Sequence, residues 1–302
     1  MRIVVALGGN ALLHRGERPD AEPQRRNVLS AAEALAPLAG THELIVTHGN
    51  GPQVGVLAME SAADPLLSRP FPLDPLGAET QGLIGYWLVQ SLHNVLPDRE
   101  VVALLTQCVV DGADPAFATP TKFVGPVYDD EVAANALAAQ RKWVVARDGK
   151  AWRRVVPSPE PREVVEEGII RRLVDSGVLV VCAGGGGVPV VRHADGTFEG
   201  VEAVIDKDLT AALLAERLGA DALLLLTDVA AVETNYGQAD SSPIAHARAA
   251  ELRSYGFAAG SMGPKVEAAC RFAERTGGIA AIGSLTDAEG VLAGTTGTRV
   301  TR

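Results

Sequence analysis

Three apolar, β-rich runs in this chain each end in a cluster of glycines. Ile3–Leu7 runs into LGGNA (7–11), Glu43–Thr47 into THGNGPQVG (47–55) and Val178–Cys182 into CAGGGGVPV (182–190). Short continuous apolar runs read as strands covered on both faces, as in parallel sheets between helices. Helical patterns fall between and after them, over Pro23–Leu38, Val54–Ala63, Ala78–Leu96, Glu163–Asp175, the second half of EAVIDKDLTAALLAERLGA (202–220) and Pro264–Arg275. Further strands are expected at Val101–Val110, at Ala222–Leu226 before Thr227-Asp228, and last at Ile279–Ile282. Strand and helix in alternation predict an α/β fold, a three-layer α/β/α sandwich with a mainly parallel central sheet.

The rhythm fails between about 111 and 161. There KWVVARDGKAWRRVVP (142–157) reads as two strands joined through Asp148-Gly149, and a second such turn stands at Asp195-Gly196. A long excursion from an α/β domain is more often functional than idle. The expectation is a small protruding subdomain or lid.

Charge narrows the class of ligand. A net charge of −10 argues against a nucleic-acid partner, so an anionic ligand has to be held by local lysines or backbone amides. Cys108, Cys182 and Cys270 are too few and too scattered for a disulfide framework. The six histidines form no metal-binding spacing. Ile3–Leu7 is too short for a signal peptide, and Gly177–Val191 is too short and too glycine-rich to span a bilayer, so a cytoplasmic protein is expected without a membrane partner.

Glycines at strand ends let backbone N–H groups approach an anion, and the next helix N-terminus adds its dipole. A single Gly-Gly turn is as often plain turn chemistry or helix packing. Three of them, two with an asparagine (Asn10, Asn50), point to a site. The Walker pattern GxxxxGK[ST] and the GxGxxG fingerprint are both absent. Two lysines stand where the helix dipole disfavours a cation, Lys207 in VIDKDLT and Lys265 in SMGPKVE. They are either solvated side chains or the cations that an anionic ligand requires, and their placement at two helix starts in an acidic chain favours the second.

Together these segments resemble the carbamate kinase family of the amino acid kinase superfamily. The resemblance rests on ALGGNAL (6–12), THGNGPQVG (47–55), PLDPLGAETQGLIGY (72–86), CAGGGGVPV (182–190), EAVIDKDLTAALLA (202–215), LLTDVAAV (225–232) and SMGPKVEAACRF (261–272), end to end and in order. It implies the amino acid kinase fold, a single domain over 1–302 with an N-terminal substrate lobe over about 1–205 and a C-terminal nucleotide lobe over about 206–302, and a reversible, Mg2+-dependent transfer in which carbamoyl phosphate and ADP give ATP and carbamate. Carbamate then falls apart to ammonia and carbon dioxide. The family also implies a homodimer and a role in arginine breakdown. By the same resemblance, Gly8, Gly9, Asn10, Gly49, Asn50, Gly51 and Gln53 bind the carbamoyl and phosphoryl groups, and Lys207 and Lys265 neutralise the moving phosphoryl with Asp208 orienting them. Asp228, Tyr236, Met262, Gly263 and Lys265 lie on the nucleotide side. The metal ligands stay open, with Asp208 and Asp228 as candidates. PTKFVGPVY (120–128) resembles the lid segment, which makes Lys122 a third cation, although family members more often read Lys-Pro-Ile-Gly-Pro where this chain has Lys122-Phe123-Val124-Gly125-Pro126. Ala6 stands where acetylglutamate kinases carry a lysine, a charge that Lys122 can supply. The alternatives are another small-acid or phosphate kinase of the superfamily, or a nucleotide sensor that has lost catalysis.

Overall fold

The computed structural model describes residues 1–9, 12–13, 17–51, 53–257 and 262–302. The first half of the chain supplies β1 (Arg2–Leu7), α1 (Ala21–Thr41), β2 (Glu43–His48), α2 (Gln53–Ala63), α3 (Leu73–Val95), β3 (Val101–Ala103), β4 (Gln107–Val109), β5 (Lys122–Tyr128), α4 (Glu131–Arg141), β6 (Val144–Asp148) and β7 (Ala151–Val156). There follow β8 (Glu163–Val164), α5 (Glu167–Asp175), β9 (Leu179–Cys182), β10 (Val188–Arg192), β11 (Phe198–Gly200), α6 (Lys207–Leu218), β12 (Ala222–Thr227), β13 (Val232–Thr234) and β14 (Ser242–Ile244). The chain closes with β15 (His246–Arg248), α7 (Ala249–Ser254), α8 (Met262–Thr276), β16 (Ile279–Ser284), α9 (Ala288–Ala293) and β17 (Thr298–Thr301).

Eight strands form the central sheet, in the order β15-β17-β16-β12-β1-β2-β9-β3. Its pairings are parallel except β16 with β17. Alternate side chains of β1 feed two separate cores. Val4 and Ala6 pack with α5, α6 and α8, while Ile3, Val5 and Leu7 pack with α1, α3 and α9. Both faces of a strand are therefore apolar, which is why these runs show no alternation in sequence. The three-layer sandwich expected from the sequence is the fold observed. Of the described helices, none is long and apolar enough to cross a membrane.

A four-stranded sheet, β11-β10-β4-β8, flanks the main one. It corrects the reading of Val101–Val110 as one strand. The run divides at Leu104–Thr106, so that β3 ends the main sheet and β4 enters the smaller one. At the break, the Gln81 side-chain amide takes the place of a ladder partner, accepting from Thr106 N at 2.9 Å and donating to Thr106 O at 3.0 Å. Glu163–Asp175 is likewise not one helix. Glu163 and Val164 pair antiparallel with β4, and the Glu166 carboxylate holds Gln107 N at 2.7 Å before α5 begins. Ile279–Ile282 lies in the penultimate strand, because β17 follows and pairs antiparallel with it. Helix α3 starts at Leu73, ahead of Ala78, with Leu73 N donating to the Glu202 carboxylate at 2.7 Å.

Within the 111–161 excursion, β5, β7 and β6 form a three-stranded antiparallel sheet with α4 against it. The expected hairpin turns at Gly149, between β6 and β7. Strand β5 carries an irregularity between Val124 and Val127, at Gly125-Pro126.

Candidate active site

The carboxyl ends of β1, β2, β9 and β12 open onto one edge of the central sheet, and three of them continue into the glycine clusters. In open α/β sheets ligands bind beyond these ends, where connections leave in opposite directions. Here the chain runs from β1 to β2 on one side, and β12 adds later on the other. Two cavities occupy the edge. One, of about 480 Å³, is walled by residues including Gly8, Thr227, Asp228, Tyr236, Met262 and Lys265. The other, of about 320 Å³, is walled by Gly49, Asn50, Gly51, Val54 and Gly185 among others. Gly9, Lys122, Arg153 and Lys207 line both.

Positive charge is concentrated at that junction. Asp208, in the first turn of α6, accepts on one oxygen, Oδ2, from Lys207 Nζ at 3.1 Å and from Lys265 Nζ at 3.0 Å. The two ammonium groups reach it from the starts of α6 and α8 and share one site. Burial alone would raise the Asp208 carboxyl, but Lys207 and Lys265 outweigh it and hold the group far below the carboxylate range. The lysines differ from each other. Desolvation and the charge of Lys207 push Lys265 below its ordinary value, whereas Asp208 and Asp206 overcome desolvation at Lys207 and raise it.

Asp206 does two things. Its Oδ1 caps α6, accepting from Asp208 N at 3.0 Å and Leu209 N at 3.3 Å, and its Oδ2 accepts from Lys122 Nζ at 2.6 Å. Lys122 thus arrives from β5 and is held against the helix that carries Lys207. Burial opposes the charged form of Asp206, yet Lys122 and Lys207 keep it below the carboxylate range.

The glycines divide by role. Among the described residues, a Cβ built on Gly9 meets nothing within 4 Å, and Gly9 lies on the wall of both cavities. Gly185 has φ +64° and lies against the Asn50 side chain, which a Cβ would overlap. Asn50 Oδ1 accepts from Thr80 Oγ1 at 3.0 Å, which fixes the amide. Gly51 also wraps closely on Gln53, and both amide atoms of Gln53 are buried without a partner among the described residues. Beneath the β2 turn, His48 is fully buried with Nδ1 2.8 Å from Gly49 O, and burial lowers its pKa to about 4.

The structure therefore gathers Gly8, Gly9, Lys122, Lys207, Asp208, Asp228, Tyr236, Met262 and Lys265 around the larger cavity and Gly49, Asn50 and Gly51 around the smaller. Gly263 lies in the first turn of α8 between two lining residues, and Gln53 at the start of α2 sits behind Gly51. Asn10 falls outside the described residues. Asp206, Glu233, Phe257 and Arg153 also wall the larger cavity and were not singled out from the sequence. Arg153 was legible only as one residue of a hairpin strand, because neither of two adjacent arginines announces which face it takes. The cavity of about 690 Å³ between α3 and β3 lies elsewhere, at the far end of the sheet.

A family model for the amino acid kinase family matches residues 1–282. The carbamate kinase of Rhizobium meliloti (strain 1021) is 54% identical over 95% of this chain and 89% of that protein. The carbamate kinase of Haemophilus influenzae is 49% identical over 100% of this chain and 97% of its own length. Among solved structures, carbamate kinase from Giardia lamblia bound to AMP-PNP superposes with a TM-score of 0.89 at 42% identity, over 99% of this chain and 98% of that one. The chain belongs to the amino acid kinase family, among its carbamate kinases.

Proposed function

We propose that this chain moves a phosphoryl group between carbamoyl phosphate and ADP at the junction of its two cavities. The larger cavity takes the nucleotide, with Tyr236 and Met262 on its wall, and the smaller takes the carbamoyl group beside Gly49, Asn50 and Gly51. A terminal oxygen of ADP attacks phosphorus, the P–O bond to the carbamoyl carbon breaks, and carbamate leaves with the electron pair. The charges balance with no proton transferred, so no general base is needed. In reverse, carbamate is already an anion and attacks ATP directly.

Such a transfer depends on in-line positioning and on neutralising charge that spreads over the equatorial oxygens. Lys207, Lys265 and Lys122 supply cations, Asp208 keeps two of them together, and Gly8 and Gly9 bring backbone close to the anion. The observation that carries this reading is the pair of ammonium groups on one Asp208 oxygen, beside the space that both cavities share.

Magnesium belongs to the same proposal. Among the described residues no three His, Cys, Asp or Glu side chains are grouped to cage a metal, which suits an ion carried chiefly by nucleotide phosphates and water. Asp208 Oδ1, buried without a partner among the described residues, and Asp228 on the cavity wall are the carboxylates that would receive it. When bound, the ion would supply positive charge that offsets the charge of the phosphate oxygens.

The same reading divides the chain into a substrate lobe over about 1–205, a nucleotide lobe over about 206–302 and a lid over about 111–161. It places the protein in the cytoplasm, in arginine breakdown, as a homodimer. The groove between α3 and β3 suits a second copy, for its lining includes Tyr86, Val89, Leu104 and Leu105 and no Asp, Glu, Lys or Arg. Purified protein given carbamoyl phosphate, ADP and magnesium is expected to form ATP. No ATP above background, with phosphorylation of an amino acid or a nucleoside monophosphate instead, would overturn the assignment.

A further inference from the structure

Two adjacent arginines of β7 are used in opposite ways. Arg154 is an anchor, with its guanidinium 4.4 Å from the Trp143 ring centroid and its Nη2 donating to Glu202 at 2.7 Å. Its neighbour, with the alternation of a strand, faces the other way and lines both cavities of the candidate active site. A bulge in the paired strand faces Arg153. Across the ladder, Val124 pairs with Arg154 and Val127 with Arg153, so Gly125-Pro126 forms the irregularity opposite the two arginines. Gly125 has φ +73°, and its carbonyl accepts from Arg153 Nε at 2.8 Å. Bulges beside active sites commonly redirect a side chain in this way.

The bulge is itself registered to the smaller cavity. A Cβ on Gly55 would collide with the Gly125 backbone, so α2 packs directly onto the turn that holds Arg153. Two glycines in contact leave no side chain to blur the fit. The remaining contact, from Arg153 Nη1 to Asp148 Oδ2, is long at 3.4 Å. The guanidinium is thus tethered at Nε, where a peptide oxygen fixes its plane, and stands with Lys122 and Lys207 at the cavity junction.

We propose that Arg153 is a further catalytic residue, whose guanidinium contacts the phosphoryl group as it passes between the carbamoyl oxygen and the nucleotide. The proposal rests on the carbamate kinase reading above. A planar fork can grip two equatorial oxygens at once, which an ammonium cannot. Charge on those oxygens changes most in the transition state, so the contact acts mainly on kcat. Because β7 belongs to the same sheet as β5, Arg153 and Lys122 arrive together.

Steady-state ATP synthesis from carbamoyl phosphate and ADP tests this. Arg153→Ala is expected to lose about a thousandfold in kcat, in the range of arginine fingers, with the KM for ADP changed less than about threefold. Arg153→Lys keeps the charge without the fork and is expected to lose about tenfold to a hundredfold. Millimolar guanidinium added to Arg153→Ala is expected to restore activity severalfold, which a purely structural arginine would not allow. A kcat for Arg153→Ala within about threefold of wild type, or a loss in a folded variant that guanidinium does not relieve and Arg153→Lys does not lessen, would overturn the proposal. If Arg153→Ala fails to fold, Arg153→Lys decides by its kcat against its KM. A wild-type enzyme that makes no ATP would overturn the underlying reading, whereas an active wild type with an equally active Arg153→Ala overturns only this inference.

Discussion

Asp208 holds two ammonium groups on one oxygen, and His48 lies fully buried under the turn that carries Gly49 and Asn50. Both groups resist protonation in the folded chain, Asp208 as a paired anion and His48 as a buried neutral ring. The carboxylate is stabilised by its partners and is lost only when pH falls below the ordinary carboxylate range. The imidazole is held neutral, with a pKa lowered by burial from 6.5 to about 4. Between those two values the unfolded chain binds a proton that the folded chain refuses, so stability falls as pH drops through this window. The limit for the single group is about 3 kcal/mol, at 1.36 kcal/mol per pKa unit. Urea unfolding at pH 7 and pH 5 should show the loss in wild type and a smaller one in His48→Asn, whose amide nitrogen stands where Nδ1 does. An equal loss in both would exclude His48 as the source. None of this was legible in the sequence, where His48 is simply a residue of THGNG; burial is a property of the packing above it.

Helix α6 is where two functions are joined, since Asp206 both caps its first turn and holds Lys122. The two can be separated. Asp206→Asn keeps a good cap while removing the charge that holds Lys122, and Asp206→Ala removes both. Thermal or urea unfolding should find Asp206→Ala about 1–2 kcal/mol less stable than Asp206→Asn. Equal stability would mean that the cap contributes nothing. The starts of α6 and α8 were readable because a lysine stands at each where the helix dipole disfavours one, and because Pro264 suits a first turn, whereas the capping role of Asp206 shows only in the structure. The run Val101–Val110 was not readable, because nothing within it says that Gln81, some twenty residues earlier, takes over the hydrogen bonds of Thr106 and lets the chain change sheets. Strand β17 was missed for a related reason. TTGTRVTR is polar and short, and only its place beside Ile279–Ser284 makes it a strand.

At the scale of the molecule, the parallel sheet and its helices follow from the doubly apolar strands, and the strand order puts three glycine turns at one edge. The 111–161 excursion was legible as an interruption of the rhythm, but its placement of Arg153 on the cavities depends on the backbone contact of Gly55 with Gly125, which no local pattern encodes. The same sheet ends at β3, where Tyr86 and Leu105 remain exposed. If this end joins a second copy, light scattering gives a dimer mass for wild type and a monomer mass for Leu105→Glu. A monomeric wild type, or a dimer unaffected by that charge, would remove the groove as the contact.

The central claim is that lysines from two helices serve one migrating phosphoryl group, and Lys265→Ala tests it most directly. Asp208 keeps Lys207 as its partner in this variant, so the fold should survive with a melting temperature near that of wild type. The rate of ATP formation from carbamoyl phosphate and ADP at saturation should fall about 10²–10⁴-fold, as when a single transition-state donor is deleted. A folded Lys265→Ala enzyme that turns over at the wild-type rate would contradict the account.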